Sequence, residues 1–197
     1  MSRQPLQLAV LIGSVREGRF GPTVGNWFVR LARERTDLIV DVVDLAESAL
    51  PMVLPAFGAE AAPEAVRALQ DLSPRLSAAD AFVVVTPEYN HSFPASLKNA
   101  IDWHHRQWHA KPVAFVSYGG VSGGLRAVEA LRPVFAELHA VTIRDTVSFQ
   151  NAWQQFDADG TPRQPDECGA AAKTLLDQLT WWGHALREAK ATTPYVA

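Results

Sequence analysis

Three clusters of residues in this 197-residue chain have types and spacing suited to binding chemistry. The first is Gly13-Ser14-Val15-Arg16-Glu17-Gly18-Arg19-Phe20-Gly21, which follows the apolar run Leu8–Ile12 and precedes Pro22. An apolar run, a loop rich in glycine and arginine, and a proline that opens a helix suit a bound phosphate. Helix N-termini offer free N–H groups and the positive end of a dipole. Arg16 and Arg19 add cationic donors and Ser14 a hydroxyl. The second cluster, Thr86 to Pro94, holds Glu88, Tyr89, Asn90, His91 and Ser92, a flat aromatic among hydrogen-bonding groups. The third, Tyr118-Gly119-Gly120-Val121-Ser122-Gly123-Gly124, is nearly all backbone. Glycines let a loop approach a flat ring closely and donate N–H groups to it. Together the clusters predict a phosphate at one end and a planar heterocycle at the other.

Such clusters need elements to hold them. Strands are predicted at Leu6–Ile12, Leu38–Asp44, Ala81–Thr86, Val113–Ser117 and Val141–Val147. Each is short and mostly apolar throughout, as strands covered on both faces are. Helices are predicted at Pro22–Arg35, Pro63–Ala79, Phe93–Trp103, Gly123–His139 and Asp166–Lys190. Pro74 predicts a kink or two short helices within the second, and Pro133 a bend in the fourth. In the last helix, Leu175, Leu176, Leu179, Trp182 and Leu186 are expected to face inward. Alternating strands and helices make a doubly wound α/β sheet, one domain over residues 1–197. The flavodoxin-like order 2-1-3-4-5, a three-layer sandwich with a five-stranded parallel sheet, fits this chain. Ligands of such sheets bind beyond the carboxyl ends of the strands at the switch in strand order, here between strands 1 and 3. All three clusters fall there. Two long connections remain, Leu45–Ala62 and Ser148–Pro165; the aromatics Trp153 and Phe156 in the second predict that it packs on something.

Three motifs carry a resemblance to the NADPH-dependent FMN reductase family of flavodoxin-like proteins. They are Gly13-Ser14-Val15-Arg16-Glu17-Gly18, the run Pro87-Glu88-Tyr89-Asn90-His91-Ser92-Phe93-Pro94-Ala95-Ser96-Leu97-Lys98-Asn99-Ala100-Ile101-Asp102, and Gly119-Gly120-Val121-Ser122-Gly123-Gly124-Leu125-Arg126-Ala127. The resemblance spans Leu6 to about Val147, and the middle motif is the specific one. It implies non-covalent FMN, with Ser14, Arg16, Arg19, Phe20 and Gly21 around the phosphate. Pro87, Glu88, Tyr89 and Asn90 would border the isoalloxazine, with Ser117, Tyr118, Gly119 and Gly120 along another edge. Two positions depart from the family: residue 19, commonly serine, is Arg19, and residue 21, commonly polar, is Gly21. The departures leave the role of Arg19 unassigned.

The activity so implied is hydride transfer from NADPH or NADH to FMN, then reduction of a small-molecule acceptor: a quinone, an azo compound, a metal oxyanion or a free flavin. It requires no catalytic side chain; the backbone around Glu88–Asn90 and Gly119–Gly120 is expected to stabilise the reduced ring. A homodimer or homotetramer is implied, with the helix carrying Lys98 and Asp102 near an interface, and Trp181-Trp182 also favours association. A flavin-dependent monooxygenase receiving released reduced FMN is a further partner the resemblance allows. The alternative class is an FMN-binding electron carrier without turnover of its own. Carriers are usually markedly acidic, and the formal charge here is −3.

The same charge argues against a nucleic-acid binder. No stretch approaches the roughly 20 apolar residues of a membrane span. Met1–Ser14 has one arginine before its apolar run but no cleavage site, and reads as the first strand of a cytoplasmic protein. The single cysteine, Cys168, excludes an intrachain disulfide and reads as incidental. His91, His104, His105 and His109 lack acidic partners at ligand spacing, so no metal is expected. No Gly-x-Ser-x-Gly elbow is present for a hydrolase.

Overall fold

The computed structural model describes residues 3–48 and 50–196; Met1, Ser2, Ala49 and Ala197, inside ranges drawn from the sequence, lie outside the described residues. In chain order the elements are β1 (Leu6–Ile12), α1 (Gly21–Arg33), β2 (Leu38–Asp44), α2 (Pro63–Ala78), β3 (Ala81–Pro87), α3 (Ala95–Asp102), β4 (Pro112–Gly119), α4 (Leu125–Glu137), β5 (Val141–Gln150) and α5 (Pro165–Thr192). A short 3₁₀ turn, Ala152–Gln154, follows β5. The strands form one parallel sheet of order β2-β1-β3-β4-β5. This is the flavodoxin-like arrangement expected from the strand pattern.

The near-continuous apolar strands bury both faces. On one face Leu6, Leu8 and Val10 meet Val24, Trp27 and Phe28 of α1 and Leu175, Leu176 and Leu179 of α5. On the other, Ala9, Leu11 and Val43 meet Leu72 and Leu76 of α2, Leu97 and Ile101 of α3, and Leu131 and Phe135 of α4. β3 is buried along its whole length, as a central strand must be.

Several boundaries differ from the sequence reading for physical reasons. β3, β4 and β5 run further because the ladder continues: Pro87 pairs with Tyr118, Tyr118 with Phe149 and Gly119 with Gln150. Residues read as loop are therefore strand ends, fixed by the sheet. α2 is one helix through Pro74, and α4 is one through Pro133. Pro74 lies in the last turns of α2, and the Lys111 ammonium caps that helix by donating to Leu76 O at 3.0 Å and Ser77 O at 2.9 Å. α4 is anchored near Pro133 by Arg132, which donates to Ile143 O at 2.8 Å and Arg144 O at 3.0 Å, where the β4–β5 register shifts. Trp182 does not face inward. It is exposed, and the core side of that turn is taken by Gly183 and His184. A Cβ on residue 183 would lie 2.6 Å from Leu6 Cδ1, so any larger residue there makes the Leu6 side chain shift. Leu186 is half-buried. The 148–165 connection packs through one of its two aromatics: Phe156 is buried against Phe20, Trp27 and Phe149, while Trp153 stays exposed.

Lys111 is buried, and this desolvation, with Lys190 nearby, pushes its ammonium down to about 8 against a weak pull from Asp80. An unfolded lysine titrates near 10.4. Between these values the unfolded chain holds the proton and the folded chain does not, so stability rises with pH. Denaturant unfolding from pH 8 to 10 should show the wild type gaining on Lys111→Met by about 2–3 kcal/mol. A pH-independent difference would contradict the burial cost.

Candidate functional site

The carboxyl ends of β1, β3 and β4 gather the three loops. In the first, Gly13 is held from both sides: its N–H donates to Val85 O at 2.9 Å and its carbonyl accepts from Ser96 Oγ at 2.8 Å. The next four residues leave the sheet, and Arg19 pulls the loop back. Its guanidinium makes a two-pronged contact with Asp44, the last residue of β2, at 2.5 and 2.6 Å, and donates to Ser14 O at 2.8 Å. Both side chains of the pair are largely covered, at 18% and 15% exposure. Arg19 thus shapes the loop and has its cation partnered by a carboxylate, which answers what the sequence left open.

What faces outward is backbone. Among the described residues, the N–H groups of Val15, Arg16, Glu17, Gly18, Phe20 and Gly21 have no protein acceptor. Nor does the exposed Arg16 guanidinium meet a carboxylate among them. The N-cap, Phe20, offers no side-chain cap, and the first turn of α1 carries no acid to offset its dipole. A row of free N–H donors, an unneutralised helix end and a free guanidinium match a ligand that only accepts hydrogen bonds, such as a phosphate.

Ser14 and Tyr118 lie beneath this row. Ser14 is fully buried, and the Tyr118 hydroxyl donates to its Oγ at 3.0 Å. Burial pushes the Tyr118 phenol up, so it stays protonated and keeps that bond. Gly21 closes over the pair: a Cβ there would sit 2.4 Å from Ser14 Oγ and 2.9 Å from Tyr118 Oη. The departure from a polar residue at position 21 has a steric cause in this chain.

The second loop is a tight turn. Tyr89 and Ser92 exchange backbone hydrogen bonds of 2.8 and 3.0 Å, with Asn90 and His91 at φ of 50° and 74° between them. Positive φ at both central positions is the type I′ pattern, and histidine adopts it at a cost. The turn holds the half-buried Tyr89 ring at its base and exposes Asn90. Pro87 is buried. The Glu88 carboxylate does not face outward. It accepts from the Arg126 N–H at 3.1 Å, inside the first turn of α4, and from the Arg126 guanidinium at 3.0 Å. Burial would raise its pKa, but the bonds from Ser122 and Arg126 outweigh that and hold the carboxyl below the ordinary range.

The third loop is packed to contact. Ser117 and Ser148 both donate to Gly123 O at 2.9 Å, and a Cβ on Gly124 would lie 2.7 Å from Ser117 Cβ. Ser117 is wholly buried, so it braces the loop and presents no side chain at the surface. Gly119 and Gly120 are half-exposed. The structure therefore gathers Arg16, Phe20, Tyr89, Asn90, Gly119 and Gly120 at the open edge of the loop cluster, and places Ser14, Pro87, Glu88, Ser117 and Tyr118 as support behind it. The expected donor set also narrows. The Glu88 N–H is spent on Tyr118 O and the Tyr89 N–H on Ser92 O, which leaves those of Asn90 and Gly120 without a protein acceptor among the described residues.

Sequence reasoning missed Asp44, Ser96, Arg126 and Trp153. Asp44 and Ser96 touch the loop only once the strand order is known. Arg126 stood inside a quoted motif without an assigned partner. Trp153 reaches Gly120 through the docked 148–165 connection.

A cavity of about 240 Å³ adjoins the first loop, lined by Val15, Leu45, Leu50, Met52, Ser96 and Asn99 among others. A larger one, about 770 Å³, includes Arg106, His109, Lys111 and Lys190. It lies at the other end of the sheet, beside the C-termini of α2 and α5, whose carbonyl ends attract such cations. Among the described residues no group of His, Cys, Asp or Glu is placed to hold a metal ion. Among the described residues no helix is long and apolar enough to cross a membrane. Burial raises the Cys168 thiol, which makes it a poor nucleophile.

The close fit at Gly21 gives a test by denaturant titration. Gly21→Ala should cost about 1–3 kcal/mol through overpacking. In a Ser14→Ala background the nearest atom is gone, and the added cost should fall by about 1 kcal/mol or more. Additive costs would mean that Ser14 and residue 21 do not compete for the same space.

Comparison with known proteins agrees with the geometry. The profile of the family described as NADPH-dependent FMN reductase matches residues 6–154. An NAD(P)H-dependent FMN reductase of Schizosaccharomyces pombe is 37% identical over 122 residues, a match covering 60% of this chain and 60% of that protein's length. A quinone reductase of Escherichia coli K12 is 33% identical over 199 residues, covering 95% of this chain and 98% of that protein. Among solved structures, the flavoenzyme NAD(P)H:(acceptor) oxidoreductase FerB of Paracoccus denitrificans superposes with a TM-score of 0.72 at 24% identity, over 91% of this chain and 98% of the other, a likeness of fold. With a matched profile over most of its length and relatives at this identity, the chain is a member of the NADPH-dependent FMN reductase family, an oxidoreductase of FMN and NAD(P)H.

Proposed function

We propose that the chain holds FMN across the three loops and uses NAD(P)H to reduce a quinone. The observation that carries this is the row of unpaired N–H groups from Val15 to Gly21 with the free Arg16 guanidinium, set beside a half-exposed Gly119–Gly120 backbone. FMN, when bound, takes a hydride from NAD(P)H and hands electrons to the acceptor. The protein's part is placement. The Val15–Gly21 backbone and Arg16 hold the phosphate. Tyr89, Asn90, Gly119 and Gly120 border the ring, and the N–H groups of Asn90 and Gly120 are the donors left to stabilise negative charge at its edge. Glu88 and Tyr118 are not tuned as proton donors: Glu88 is held ionised by its bonds from Ser122 and Arg126, and Tyr118 is held neutral by burial.

A quinone is favoured as the acceptor by the relatives called quinone reductases, among them those of Escherichia coli and Solanum tuberosum. The reading includes a cytoplasmic protein and a homo-oligomer, a dimer or tetramer. Met52, Val53, Leu54 and Phe57 are strongly exposed on the segment before α2, near the half-buried Trp103 of the α3 end, whose indole donates to Pro51 O at 2.8 Å. An apolar segment left in water favours pairing. The Lys98–Asp102 pair on α3, at 2.7 Å, is satisfied within one chain.

The purified protein should bind FMN, show flavin absorbance and bleach with NADPH or NADH in the absence of oxygen; a colourless protein that takes up no added FMN refutes the reading. Arg16→Ala should weaken FMN binding by about 10-fold or more, the worth of a charge-assisted phosphate contact. Arg19→Ala should instead lower thermal stability, because it strands the covered Asp44 carboxylate. If Arg16→Ala leaves FMN affinity unchanged, the phosphate lies elsewhere.

A further inference from the structure

Trp153 borders the loop cluster but has been given no role there, and it is not part of the core. Its indole is 61% exposed, which for so large an apolar ring costs solvation free energy unless something covers it. It is not on a loose loop. Asn151, left-handed at φ 46°, donates its N–H to Gly120 O at 2.9 Å. Gln150 Nε2 donates to Val121 O at 2.7 Å. Ala152 before the indole and Phe156 after it are both buried. The 3₁₀ turn that carries Trp153 is thereby bonded to the same residue, Gly120, that offers its backbone to the flavin. The two are also close in space, since a Cβ on Gly120 would lie 3.8 Å from Trp153 Cη2. Gly120 and the indole form one rigid corner, with an open backbone on one side and an open aromatic ring on the other.

We propose that the Trp153 indole is the stacking wall for the quinone acceptor, and so sets the acceptor class of this enzyme. The inference rests on the reading that FMN occupies the Gly119–Gly120 edge. A quinone is flat and electron-poor; the face of an indole is electron-rich, so stacking is favourable in sign as well as in area. A metal oxyanion or a complex anion gains nothing from that face, because the ring quadrupole attracts cations and repels anions. The corner therefore favours flat aromatic acceptors over oxyanions by geometry and by charge. A preformed wall also loses little entropy on binding, since its turn is already tied down.

The test compares Trp153→Ala and Trp153→Phe with the wild type, each loaded with FMN. Two acceptors are used, 1,4-naphthoquinone and ferricyanide, together with binding of coumarin, a flat aromatic without a quinone couple, followed through the flavin spectrum. In Trp153→Ala the KM for naphthoquinone and the Kd for coumarin should rise about five- to tenfold, the worth of one aromatic contact. Trp153→Phe should recover most of both. Ferricyanide kcat/KM, FMN affinity and melting temperature should stay within about twofold or a degree or two of wild type. Titrating FMN into the apo-protein should quench less indole emission in Trp153→Phe than in wild type, which reports the indole beside the flavin independently of turnover. Naphthoquinone KM and coumarin Kd unchanged in Trp153→Ala would overturn the assignment, as would equal losses with naphthoquinone and ferricyanide. A protein that binds no FMN overturns the cofactor reading and this inference together; a yellow protein with an indifferent Trp153 overturns this inference alone.

Discussion

The contact of Arg19 with Asp44 and Ser14 O is the constraint on which the site depends. An eight-residue loop between β1 and α1 could collapse onto the sheet edge or wander from it. One guanidinium stops both, because it is rigid, planar and bonded at three points. It ties the loop to the end of β2, the strand beside β1, whose Asp44 pairs in register with Ile12. The loop N–H groups are then left pointing away from the protein. The burial of the pair makes the tether firm, since its charges are little screened.

The other tethers follow the same rule. The side-chain oxygens of Ser14, Glu88, Ser117 and Tyr118 bond within the loop cluster, while a row of backbone N–H groups in the first loop is left without a protein acceptor among the described residues. Tyr118 joins the first loop to the third through Ser14, and Glu88 joins the second to the third through Arg126. Ser117 and Ser148 converge on one carbonyl, Gly123 O. The site is thus a rigid set of donors that needs no reorganisation when an anionic or flat ligand arrives, the condition under which electrostatic stabilisation is largest. The glycines at 21, 123 and 124 are the steric counterpart, since each tether runs where a Cβ would stand.

Much of this was legible in the sequence, and the limits are informative. Strand order, helix count and the convergence of three loops followed from apolar runs and turn residues, because a doubly wound sheet leaves few alternatives. The resemblance supplied FMN. What the sequence could not give was the sense in which each polar residue points. Ser14, Ser117 and Glu88 read as ligand contacts because their types suit ligands; the structure adds that all three are largely covered and also bond to neighbouring loops. Strand ends hid the reason: Pro87, Tyr118 and Gly119 continue the ladder, so their side chains obey the sheet's alternation and not the loop's freedom. Arg19 was unassignable because its partner lies 25 residues away, on a neighbouring strand. Trp182 failed for a different cause: helical spacing allowed it inward, but Gly183 and His184 take the buried side of that turn.

The inward turn of the polar side chains also bears on the kind of chemistry the site supports. General acid–base catalysis needs a group whose pKa sits near the working pH and whose proton can leave. Glu88 is held below that range by its bonds from Ser122 and Arg126, and Tyr118 above it by burial, so these two groups are moved away from neutrality in opposite directions. A hydrolase would be disabled by that arrangement. A site built for hydride transfer would be served by it, because fixed donors can meet charge that develops on a bound ring without reorganising. The tethers that make the loops rigid and the shifts that make them inert are the same hydrogen bonds, seen once as mechanics and once as electrostatics.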